Sequence, residues 1–139
     1  MADLVVSAGD DIITNRVKGS GTEPKYLSWG TGAGTTVKAN TTLFTESTST
    51  SNGGGNNTRV TGTSTQQTVT YTNDTYRVVG TLVADVGKTI TNVGLFDTDG
   101  AQTSPAAPSG GNLFCKSDFT GIVLNAADSI SFTMNVTMN

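Results

Sequence analysis

Residues 129–139 read SISFTMNVTMN, and this stretch decides the fold class. Ile130, Phe132, Met134, Val136 and Met138 alternate without interruption with Ser131, Thr133, Asn135 and Thr137. A period of two places the apolar set on one face and the polar set on the other, as in a β-strand between a core and water. Upstream, Tyr76, Val78, Leu82 and Ala84 share one face of a second predicted strand, residues 75–84, with Gly80 among them. Val79 and Val83 fall on its other face, which predicts a strand that is central or covered on both sides. The turn signal Val86-Gly87-Lys88 follows, and residues 89–96 then read as the antiparallel partner of that strand. Residues 112–119, the short run 122–124, one or two strands within 58–72, and residues 26–30 complete about seven or eight short strands.

The composition agrees with an all-β chain. Thr, Ser, Asn and Gly supply 66 of the 139 residues, and Thr and Val together supply 39, both β-branched and suited to a pleated, half-buried surface. Glu occurs only at Glu23 and Glu46, which removes a helical bundle. Leu, Ile, Val and Phe make up 30 of the 139 residues, just above the ~20% at which disorder becomes the expectation. A net charge of −3 is too small to hold such a chain open, so a folded domain with a lean core is expected. The predicted architecture is a single-domain β-sandwich or jelly-roll-like barrel with long polar loops.

The same composition excludes most chemistry. With no histidine there is no Ser-His-Asp or Cys-His machinery and no imidazole metal site, and no nucleophile motif stands in for them. The lone Cys115, between Phe114 and Lys116, reads as a small core hydrophobe. Lys and Arg are scattered, which speaks against nucleic acid as a partner, and no window approaches a membrane span. The first residues lack the basic flank and apolar stretch of a signal peptide, so synthesis in a cytosol without export is expected. No cofactor and no enzymatic activity are expected.

Several motifs have plainer readings beside the functional ones. Gly30-Thr31-Gly32-Ala33-Gly34-Thr35 departs from a dinucleotide loop at its sixth position and precedes no helix, so it reads as a turn after a strand. Asp97-Thr98-Asp99-Gly100 resembles the start of a calcium loop, but Pro108 stands where the bidentate Glu belongs; an Asp-Gly turn is the simpler reading, with a partial cation site left open. Asp85, Asp97, Asp99, Asp118 and Asp128 have the spacing of turn residues rather than of paired catalytic carboxylates. Trp29 with Tyr26, Tyr71 and Tyr76 offers either a sugar-stacking platform or packing at the end of the sandwich. Two loops are polar and long: residues 45–57 (TESTSTSNGGGNN), and residues 97–111 with Pro105 and Pro108.

The chain divides into an N-terminal arm, residues 1–22, and a sandwich body, residues 23–139. The arm holds a short helix, begun by Asp10 and Asp11 and closed by Lys18-Gly19, or equally a strand. Its apolar cluster Leu4-Val5-Val6 reads either as a first edge strand of the protein's own sandwich or as an interaction segment that pairs with a neighbouring chain.

Residues 26–32 (YLSWGTG), 72–81 (TNDTYRVVGT), 90–97 (ITNVGLFD) and 111–137 (GNLFCKSDFTGIVLNAADSISFTMNVT) together resemble tailed-bacteriophage virion proteins, most closely the small capsid decoration, or cement, proteins. The resemblance runs from about Glu23 to the last residue and rests on strands and turns. It implies a β protein on the outer surface of a mature head. There it would clamp neighbouring major capsid subunits, often as a homotrimer at local three-fold axes. A neck or tail-fibre attachment domain, or a receptor domain stacking glycans on Trp29 and Tyr26, is the alternative within the same virion context.

Overall fold

The alternation at the C-terminal end is realised as a strand, Ser129–Thr137, with Phe132, Met134 and Val136 buried and Ser131, Thr133 and Asn135 exposed. The computed structural model describes residues 3–48, 58–101 and 106–138. Along the chain come β1 (Leu4–Val5), α1 (Ser7–Lys18), β2 (Tyr26–Gly30), β3 (Val60–Thr61), β4 (Thr63–Gln67), β5 (Thr75–Val83), β6 (Lys88–Phe96), β7 (Leu113–Leu124) and β8 (Ser129–Thr137). They form two antiparallel sheets, ordered β1-β7-β6-β2-β3 and β4-β5-β8. This is an all-β sandwich with one short helix.

The inner faces meet in one main core. Leu27 and Trp29 of β2, Ile90 and Leu95 of β6 and Phe114 of β7 come from the larger sheet, and Val78, Leu82, Phe132 and Met134 from the smaller. Trp29 and Phe132 meet edge to face across the sandwich, with centroids 6.4 Å apart. Pairs of this geometry add about 0.5–1.5 kcal/mol beyond the area they bury. A satellite cluster of Val6, Leu43, Phe96 and Leu113 lies beside the main core.

Three expectations need correction. The segment after Val86-Gly87-Lys88 does not pair with β5, because the chain crosses there from one sheet to the other. Ala84 N–H donates to Asp128 at 2.8 Å instead of to β6, and Lys88 is ion-paired to Asp85 at 2.6 Å across the crossing. The crossing brings the apolar faces of β5 and β6 together, so that Leu82 and Ala84 join Ile90 in one core. β5 is central in its sheet, between β4 and β8, as one of its two expected placements had it, but it is covered on one face only; Val79 points to solvent and is 37% exposed. The runs 112–119 and 122–124 are a single strand, β7, and a register shift between Ile90 and Asn92 of β6 absorbs the interruption. The helix forms, but it starts at Ser7, three residues before Asp10, and ends at Gly19 in the left-handed conformation (φ 92°).

The described part of the N-terminal segment, residues 3–22, packs against the body. β1 extends the larger sheet beyond β7, and α1 lies against β7 with Ile12 in the core. The approach is close, since a side-chain carbon on Gly9 would stand 2.2 Å from the Phe114 carbonyl oxygen.

The strict alternation of β8 gives a paired test. Phe132→Asp places a charge on the core face and removes a ring whose truncation alone costs about 3–5 kcal/mol, so the variant is expected in inclusion bodies. Thr133→Asp, on the exposed face, should change stability by less than about 0.5 kcal/mol. Soluble yield and melting temperature measured side by side check the register, and equal values would show it to be wrong.

Candidate functional site

The two long polar loops leave the sandwich at one place and are joined there by Arg59, a buried residue (5% exposed). Its Nε and Nη2 donate to the Glu46 carboxylate at 2.9 and 3.3 Å. Its Nη1 donates to the carbonyls of Gly110 and Thr98 at 2.9 and 3.2 Å, and its Nη2 also reaches Pro108 O at 3.4 Å. A guanidinium has five N–H donors, and these five bonds use all of them. Its Cζ lies over the Phe96 ring, 3.6 Å from the centroid. One side chain therefore ties the start of the 45–57 loop to both ends of the 97–111 loop. Of those loops, residues 49–57 and 102–105, with Pro105, lie outside the described residues.

The glycine-rich run after β2 is a packing device. Thr31 and Gly32 donate their N–H groups to Thr45 and Phe44 carbonyls at 3.0 and 2.9 Å, so the returning chain lies directly on the end of β2. Side-chain carbons on Gly32 or Gly34 would come within 2.6 Å of Thr45 or Phe44, which is why the approach needs glycine. Asn92 of β6 fixes Phe44 from below, accepting from its N–H at 3.0 Å and donating to its carbonyl at 3.1 Å.

Beside Phe44 lies the least expected group, Lys116 of β7, fully buried. Its Nζ sits 3.0 Å from the Phe44 ring centroid and donates to Thr42 O at 3.1 Å. Burial pulls the ammonium down from 10.5 to about 8, with Asp118 pushing weakly the other way. Asp118 itself accepts from Thr36 N–H at 2.7 Å, which pins a further point of the same loop, and the Thr36 side chain and then its backbone lower the carboxyl.

The N-terminal cluster forms the edge of the larger sheet next to β7. Leu4 and Val5 pair with Lys116 and Cys115, and Val6 is completely buried, its N–H donating to Phe114 O at 3.1 Å. Leu4 is exposed and Val5 partly so. Asp3 spans the two sheets, accepting from Ser117 Oγ and from Asn135 N–H, both at 2.6 Å.

Other residues singled out by the sequence take structural places. Trp29 is fully buried and Tyr26 partly so, which leaves no paired platform for a sugar. Tyr76 donates to Pro24 O at 2.9 Å, and burial raises its hydroxyl well above the usual range. Cys115 is buried, and burial likewise raises its thiol. Asp97 closes the base of its loop by accepting from the backbone and side-chain N–H of Asn112 at 2.6 and 3.1 Å. Among the described residues no three His, Cys, Asp or Glu side chains gather as a metal site. Asp74, half-buried, accepts from the N–H groups of Val69, Thr70 and Tyr71, which hold its carboxyl down at about 2 and present Tyr71 (68% exposed) at a hairpin tip. A cleft of about 320 Å³ opens beside that hairpin, between Ile12 and Arg16 of α1 and Tyr76 and Met138.

Comparison with protein-family models, curated proteins and solved structures gives no match. The buried cations Arg59 and Lys116 are the residues that sequence reasoning missed. Their only signal is a nearby aromatic and a glycine-rich or proline-containing loop, too common to single them out.

Two measurements follow. In the pH interval from about 8 to 10.5 the unfolded chain keeps the Lys116 proton that the native state has released, so stability from this group rises with pH there. Cys115 and Tyr76 titrate with the opposite sign but are common to both proteins, so the comparison with Lys116→Met isolates the lysine. Denaturant unfolding at pH 7.5 and 10 should show wild type gaining on the variant. Deleting Met1 to Val6 tests the two readings of the N-terminal cluster. Loss of buried Val6 and of the Asp3 bridge should lower the melting temperature of the free protein, whereas an unchanged melting temperature with weaker assembly would identify an arm.

Proposed function

We propose that this protein is a non-enzymatic virion component of a tailed bacteriophage, a decoration (cement) protein on the outer surface of the head that clamps neighbouring major capsid subunits. The observation that carries the reading is where the resembling segments fall. YLSWGTG is β2 with its glycine turn, TNDTYRVVGT is the Asp74 cap with β5, ITNVGLFD is β6, and the long C-terminal segment is β7 with β8. The resembling segments therefore take in strands of both sheets, β2 and β5 to β8 in whole or large part, and the crossing from β7 to β8.

The chemistry of the side chains supports the same reading. Arg59 with Glu46, Lys88 with Asp85, and Asp97 with Asn112 are each committed to holding chain segments together. The long loops are anchored at their roots by buried groups, which suits a contact surface that must keep its shape under outward pressure from packaged DNA. Each contact across a capsid seam can be modest if one oligomer makes several at once, because linked contacts multiply. The resemblance implies copies joined in threes; clamping itself requires only that an oligomer present more than one contact. The glycan-binding alternative loses its anchor with the burial of Trp29.

The test uses expanded heads stripped of, or assembled without, decoration protein. The purified chain should co-sediment with them and raise the temperature at which they release DNA. Heads that rupture at the same temperature with and without bound or added protein would refute the proposal, and binding to a glycan array without binding to heads would favour the receptor reading.

A further inference from the structure

Among the described residues, β8 is an edge strand whose outer side is open over a short, defined window. Its neighbour β5 pairs with it over nine residues, Thr75↔Thr137 to Val83↔Ser129, without a register shift. Just beyond the two ends, Ala84 N–H bonds to Asp128 O and Met138 N–H bonds to Asp74 O, both at 2.8 Å. These bonds assign the even-numbered backbone groups of β8 to β5, so Ser129, Ser131, Thr133 and Asn135 turn theirs away from it. Asn135 N–H confirms that direction by donating to Asp3 Oδ2 at 2.6 Å. Asp3 thus closes the window on one side, and the turn at Ala127 (φ 69°) closes it on the other. What remains is Ser129, Ser131 and Thr133, all exposed.

Edges of this kind are usually protected by Lys, Pro, a bulge or an inward-pointing charge. The window has none of these. Its side chains are small and uncharged, so a copy of the same strand laid against it meets no like charge. It is also symmetric about Ser131, with one outward-facing residue on each side and a block beyond each.

We infer that β8 pairs with β8 of a second copy of this chain, antiparallel and about a two-fold axis through Ser131, joining two three-stranded sheets into one of six strands. Ser131 then lies opposite Ser131 of the partner, and Ser129 opposite Thr133. Three hydrogen-bonded residue pairs give about six main-chain bonds, two per pair. So short a contact falls at the small end of specific interfaces, and the pair dissociates on dilution. A two-fold contact makes twos, not the threes that the family resemblance implies. It concerns the free protein, so its failure would leave head binding untouched.

The experiment is light scattering of the full chain at about 1 and 100 µM, bracketing a micromolar Kd. The mass should rise to that of a dimer at the higher concentration. Ser131→Pro removes only an outward-facing N–H, and Ser131→Lys sets like charges opposite each other; each should return the mass to that of a monomer with native circular dichroism. Register is read by mild oxidation of single-cysteine additions, with Cys115 buried and silent. Ser131→Cys should cross-link copies, because directly opposed residues lie about 5.5 Å apart, within disulfide reach. Ser129→Cys should not. A monomer at the higher concentration, an oligomer whose mass Ser131→Pro leaves unchanged, or equal cross-linking through positions 129 and 131 would overturn the inference.

Discussion

The guanidinium carbon of Arg59 stands over the ring of Phe96, with all five N–H groups bonded to Glu46 or to the carbonyls of residues 98, 108 and 110. Buried charges of this kind stabilise little in themselves, but removing one partner costs about 3–5 kcal/mol because the other is stranded without solvent. The arrangement is therefore all or none. It sets the roots of two long loops at fixed positions against the end of β6, and it lets chain of almost purely polar composition be carried by a sandwich whose apolar core is small. Lys116 does the same for the loop that follows β2, using the ring of Phe44 and the carbonyl of Thr42.

This polar bracing offsets a shortage of apolar residues. Where a larger core would pack leucine against leucine, this chain uses Asn92 to hold the backbone of Phe44 at both its N–H and its carbonyl, and Thr75 to bond Thr137 across neighbouring strands. Such bonds contribute about 1 kcal/mol each, yet leaving a buried partner unmet costs more. The threonine excess that suggests β structure by propensity thus has a second use in tying strands to one another.

β8 was legible in the sequence because one residue in two is apolar over its whole length, and no helical period competes with that. The helix was half legible. Lys18 and Gly19 mark its end, but its start at Ser7 has no side-chain cap to announce it. The pairing of β5 was misread because a short Val-Gly-Lys link looks the same whether the next strand turns back beside the first or crosses to the facing sheet; only the joint burial of Leu82, Ala84 and Ile90 decides between them. Arg59 and Lys116 were invisible for a different reason. A charge is expected in water unless its partners are known, and those partners lie 13 to 74 residues away in loops without periodicity. The surfaces proposed for head binding and self-pairing had no motif at all.

The bridge made by Asp3 has a consequence for how the molecule is made. Its carboxylate joins Ser117 and Asn135, residues 114 and 132 positions further along the chain. β1 has no strand to join until β7 exists, and the smaller sheet lacks one of its three strands until β8 exists. During synthesis, at roughly 5–20 residues per second, the nascent chain must wait with one edge of β5 unpaired and the apolar face of the smaller sheet incomplete until β8 has cleared the ribosome. Such far-separated pairings also make folding slow once it begins, on the order of milliseconds to seconds for sandwiches of this topology. The abundance of threonine, serine and asparagine between the apolar positions then has a value during translation, because it keeps the waiting chain in solution until its two ends can meet.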